Sequence, residues 1–91
     1  MATQGTATVD FGTGKTDASV VVTGQAAITT ANLVEAWMSG TATSNNLADT
    51  GFVEEFGVFA GDIVNGAGFT IYVFCRDGLA FGQYNINWVW N

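Results

Sequence analysis

Proline and histidine are absent, cysteine occurs once, and only two residues, Lys15 and Arg76, are basic. Without histidine the usual general base of serine and cysteine nucleophile chemistry is missing. A lone Cys75 cannot form an intrachain disulfide and reads as a small buried hydrophobe, so stability must come from packing or from association. Eight acidic residues against two basic ones give a net charge of −6, which repels a phosphate backbone and disfavours nucleic acid as a partner. No stretch approaches the roughly 18 apolar residues of a membrane span. Residues 1–5 have neither the basic start nor the apolar run of a signal peptide, so the expected product is a soluble protein made in the cytoplasm.

What remains is apolar and glycine-rich. Hydrophobic residues make up 48% of the 91 positions and charged ones 11%, a sparse supply of charge for a small soluble monomer, so part of the apolar surface is expected under partner subunits. The length suits one domain, residues 1–91, with one core. Lacking proline, the chain must turn at Gly, Asn, Asp, Ser and Thr. Such residues cluster at 12–14, 23–25, 39–46, 65–68 and 76–78, separated by runs rich in Val, Ile, Phe, Thr, Tyr and Trp. That rhythm predicts an all-β, antiparallel β-sandwich of six to seven strands.

The clearest strand is 83–90, where Tyr84, Ile86, Trp88 and Trp90 alternate with Gln83, Asn85, Asn87 and Val89. Phe69 to Cys75 places Phe69, Ile71, Val73 and Cys75 on one face and Thr70, Tyr72 and Phe74 on the other, and both faces read as covered. Asp77-Gly78 between the two runs suits a tight type I′ turn and predicts that they pair antiparallel. Thr6 to Phe11 and Ala18 to Val22 supply the first two strands, with Val20-Val21-Val22 read as packed on both sides. Asn32 to Met38 is ambiguous. Its apolar spacing and a capping-box-like Asn32 and Glu35 favour a helix, whereas its shortness and β surroundings favour a strand, which is the reading adopted. Phe52 to Ala60 reads as a strand broken at Gly57, with Ile63-Val64 as a separate short run before the Asn65-Gly66 turn.

Gly12-Thr13-Gly14-Lys15-Thr16 ends like a phosphate-binding loop, but Val9 stands where the first glycine belongs and a valine-rich strand follows instead of a helix, so it reads as a hairpin turn. Glu54, Glu55, Asp49 and Asp62 are the candidates for a paired-carboxylate hydrolase. Adjacent Glu54 and Glu55 point to opposite faces of a strand, and solvated charge is the better reading. Calcium held by Asp49 and Asp62 has no supporting ligand spacing. No catalytic, cofactor-binding or metal residue is therefore expected, and no enzyme. Aromatic residues are numerous, and an exposed ring beside an amide or acid can hold a sugar, although most should line the core and a subunit interface. With 39–50 as the long polar connection, the candidates for ligand or interface contact are Trp37, Asn45, Asn46, Asp49, Tyr72 and Phe74.

Several phrases together carry a resemblance. They are Gly5-Thr6-Ala7-Thr8-Val9-Asp10-Phe11-Gly12, Asp17-Ala18-Ser19-Val20 with Val22-Thr23-Gly24-Gln25, Leu33-Val34-Glu35-Ala36-Trp37, Ala60-Gly61-Asp62-Ile63-Val64, Gly66-Ala67-Gly68-Phe69-Thr70-Ile71-Tyr72 and Trp88-Val89-Trp90-Asn91. In that order the chain resembles a family of small phage and prophage virion proteins. More loosely it looks like the H-type lectins, six-stranded sandwiches that form trimers and bind sugars between subunits. The resemblance implies a homotrimer, other virion proteins as partners, a place in the virion after synthesis in the host cytoplasm, and a lectin-like glycan-binding role as the alternative. Where relatives carry His with Asp or Glu, this chain has Ser44-Asn45-Asn46-Leu47-Ala48-Asp49, so no binding residue is carried over.

Overall fold

A computed structural model describes residues 2–43, 46, 56–76 and 78–91. The described residues hold six strands and no helix: β1 (Thr3–Asp10), β2 (Asp17–Val22), β3 (Val34–Met38), β4 (Phe56–Val64), β5 (Gly68–Cys75) and β6 (Gln83–Trp90). They form two antiparallel three-stranded sheets, the first ordered β1-β6-β3 and the second β2-β5-β4. Alternation decides which side chains go in. Tyr84, Ile86, Trp88 and Trp90 of β6 meet Phe69, Ile71, Val73 and Cys75 of β5 in one buried cluster, with the Phe69 and Trp88 rings 5.3 Å apart and edge-on. Edge strands add smaller or half-buried residues, among them Ala7, Ala18, Val20, Val34, Ala36 and Val58.

This arrangement corrects the expected β5–β6 hairpin. Asp-Gly is diagnostic when two residues alone separate the strands, but here residues 76–82 intervene and carry the chain from the second sheet to the first. Each of these two most apolar strands is the centre of its own sheet, so they face each other across the core instead of lying side by side. The 12–16 segment likewise is no hairpin turn. It leads from β1 in the first sheet to β2 in the second, with the Asp10 carboxylate accepting from the Gly12 N–H at 2.7 Å and Lys15 bridging Ala80.

The ambiguous middle segment is a strand. Asn32 caps no helix: its side-chain oxygen accepts from the Thr29 N–H at 2.7 Å and closes a turn behind it, while the backbone of Leu33 exchanges hydrogen bonds with Asn91. β4 also departs from expectation, running unbroken through Gly57 and on to Val64. A bulge between Gly61 and Val64, with Asp62 at φ 52°, shifts the inward set from Phe56, Val58 and Ala60 to Ile63, and that change of phase made one strand resemble two. Residues 52–55 of the expected strand lie outside the described residues.

Two corrections concern burial. Val21 is 64% exposed, so the valine run is covered on one side only. On β5 the second face is open as well: Tyr72 is 38% and Phe74 40% exposed.

Candidate functional site

Of the six candidate residues, Tyr72 and Phe74 lie on the outer face of the second sheet and Trp37 on that of the first. Outward positions of the second sheet fall into cross-strand rows: Ser19, Tyr72 and Phe59 in one, and Asp17, Phe74 and Gly57 in the next. Two glycines let the rings lie down on the sheet. A methyl group at Gly57 would stand 2.1 Å from the Phe74 ring, and one at Gly61 would stand 3.0 Å from Phe59. Phe59 lies 6.1 Å from Tyr72 between ring centroids, and with Val21 and Val64 these side chains form an apolar face open to solvent.

Charge is arranged around it. The Arg76 guanidinium sits 5.1 Å from the centroid of Phe74, and Lys15 borders the same depression as Tyr72 and Phe74, so both basic residues of the chain flank one end of the face. Near the other end the Tyr72 hydroxyl donates to Asp62. That hydrogen bond, with smaller contributions from desolvation and the negative charge of Asp62, holds the Tyr72 phenol above the ordinary tyrosine range. The sign follows. A raised folded value means that the contribution is fully present below the ordinary phenol pKa and is lost as pH rises through the folded one. Ultraviolet titration of the phenols should find Tyr72 ionising later than an ordinary tyrosine, and Asp62→Asn should bring it back. An unaltered Tyr72 titration in that variant would mean that the pair does not form.

Trp37 lies on the opposite side, on the outer face of the first sheet, 46% exposed. It pairs with Asn87 of β6, which pairs in turn with Thr6 of β1. Gln4 and Glu35 stand in the next row on the same face, two residues along their strands. A shallow depression of about 370 Å³ is lined by Gln4, Gly5, Thr6, Trp37, Asn87 and Trp88.

Asn46 serves the fold. Its amide donates to the Phe81 and Gln83 carbonyls at 3.0 and 2.8 Å and ties the segment after β3 to the start of β6. Asn45 and Asp49 lie outside the described residues, as do Glu54 and Glu55. Cys75 faces the core, as a small hydrophobe should.

Sequence reasoning reached Trp37, Tyr72 and Phe74 but missed the residues that complete each face: Val21 and Phe59 on one, Gln4, Thr6 and Asn87 on the other. The signal for Phe59 was present in Gly57-Val58-Phe59-Ala60-Gly61, where a ring alternates with glycines on one face. No family model, curated protein or solved structure matches the chain.

Proposed function

We propose that the protein is a non-enzymatic β-sandwich that assembles with copies of itself, as a structural or decorating component of a phage particle. The observation that carries the assembly is the open aromatic face of Val21, Phe59, Tyr72 and Phe74. Large apolar groups gathered on one sheet face are what an interface between subunits covers. Charge points to a second copy as the occupant. At a net charge of −6 two chains repel, and both of the basic residues that could offset this stand beside the face. The virion role and the number of copies, a homotrimer, rest on the resemblance to small virion proteins and to H-type lectins. Other virion proteins would then be its further partners.

Multi-angle scattering tests the assembly. A mass of three times the 9.5 kDa chain is expected, and Phe59→Ser should reduce it to one chain while leaving the far-ultraviolet spectrum unchanged. A wild-type chain that stays monomeric at micromolar concentration would remove the reading. A dimer would keep the face and remove the trimer. Peptides of the chain in purified phage particles would support the virion role, and their absence would end it without touching the assembly. The lectin-like alternative draws on the opposite face, around Trp37.

A further inference from the structure

From the open edge of the first sheet we infer a contact between two copies of this chain, in which β1 pairs antiparallel with β1 of the second copy about a two-fold axis at Thr6. The aromatic face belongs to the other sheet, so this contact does not rest on the assembly proposed there and can form alongside it.

Main-chain groups carry the argument. The Phe11 N–H donates to the Gly82 carbonyl at 2.8 Å, in step with the β1–β6 ladder, so the odd-numbered residues of β1 hydrogen-bond to β6. The N–H and C=O groups of Gln4, Thr6 and Thr8 therefore point off the free edge. All three residues are exposed, and their main chains make no hydrogen bond among the described residues.

An edge left so is a template for another strand, and proteins blunt such edges with charge, proline, a bulge or short length. Of the four edge strands described, three are blunted. β3 has five residues with Glu35 among them, β4 carries the Gly61–Val64 bulge and Asp62, and β2 is six residues long and begins on Asp17. β1 is not blunted. It runs for eight residues in unbroken register, and its one charged residue, Asp10, is its last.

The strand's own sequence points to a second copy as the occupant. Pairing about Thr6 sets Gln4 opposite Thr8 of the second copy, Thr6 opposite Thr6 and Gly5 opposite Ala7. The Gln4–Thr8 and Thr6–Thr6 pairs are the ones with open main-chain groups, so each exchanges both of its hydrogen bonds. Threonines opposed across strands favour the contact further. Asp10 falls opposite Ala2, which leaves the two Asp10 carboxylates at opposite ends of the ladder. Two acidic chains thus meet along an edge where no like charges are opposed.

Cysteine cross-linking reads the register. Thr6→Cys places two thiols on the axis, in a hydrogen-bonded pair with Cα atoms about 5.5 Å apart, which is within disulfide reach. Mild oxidation should give a covalent dimer about tenfold faster than with Gln4→Cys or Thr8→Cys alone, whereas a mixture of those two should cross-link to each other. The wild type, whose only thiol is the buried Cys75, is the blank. One strand pair is a narrow contact, so mass is measured by scattering up to submillimolar concentration, in the Phe59→Ser chain to remove the aromatic face. That chain should pass from one copy to two, and Thr6→Pro should abolish the rise, because the lost N–H points away from β6 and leaves its ladder whole. If Thr6→Pro alters the circular-dichroism spectrum, Thr6→Lys takes its place by setting two ammonium groups against each other on the axis. Equal cross-linking of the three single variants overturns the proposal, as does a mass indifferent to the Thr6 substitution.

Discussion

Gly68→Ala is expected to cost about 3 kcal/mol, upper-range overpacking for a single added methyl group. Gly68 opens β5 beside Val22, and a Cβ there would stand 1.7 Å from the Val22 carbonyl oxygen and 2.8 Å from its carbon. The obstruction is main chain held by the β2–β5 ladder, which pairs Val22 with Phe69, so no rotamer change relieves it. Either the ladder shifts or the β4–β5 turn opens. For a domain of this size the loss corresponds to a fall in Tm of roughly 12–24 °C. Gly40→Ala is the control, because a Cβ there meets nothing within 4 Å. A Gly68→Ala chain that melts within a few degrees of the parent would mean that β2 and β5 do not approach so closely.

Phe11→Ala should cost about 4 kcal/mol, as expected for a phenylalanine removed from a core that only partly collapses. Phe11 is wholly buried just past the end of β1, with its ring 5.6 Å from Phe56 and 5.8 Å from Tyr84, and those two rings are 4.7 Å apart. The three close one end of the core, and they come from both sheets, since Phe56 belongs to β4 and Tyr84 to β6. Losing Phe11 therefore weakens the joint between the sheets as well as the packing of one strand. Urea unfolding monitored by fluorescence measures the cost, and Phe11→Leu should recover most of it. A loss below about 1 kcal/mol would show that the end of the core is not tightly packed.

The fold class and most strands were legible because their determinants are local. Alternation in β6 and β5 names the buried residues directly, and glycine with short polar residues marks the breaks. Pairing was not legible. β5 and β6 read as a hairpin because Asp77-Gly78 lies between them, and the length of the 76–82 connection was the one local sign against it. What decides the pairing is the need of each sheet for its own apolar centre, and it is a property of the whole chain. Bulges hide for a related reason: Asp62 at φ 52° moves the inward phase by one residue, which a strict period of two reads as an ending.

The candidate site was legible one residue at a time. Trp37, Tyr72 and Phe74 are large and aromatic, so they draw notice, yet they fall on opposite sides of the molecule. Gln4, Thr6 and Asn87 are ordinary surface residues until the register of β1 and β3 on β6 aligns them beside Trp37. Asn46 drew notice as a loop residue, but its amide binds main-chain carbonyls of its own chain.

The order β1-β6-β3 has a consequence for biosynthesis. The strand that joins the other two is made after both of them, so nascent β1 and β3 wait without a ladder partner and only the β2-β5-β4 layer can zip up early. Half of the architecture is thus withheld until translation has passed the final tryptophans. Any lesion that stops the ribosome short of β6 should leave a chain that is sticky rather than merely shortened.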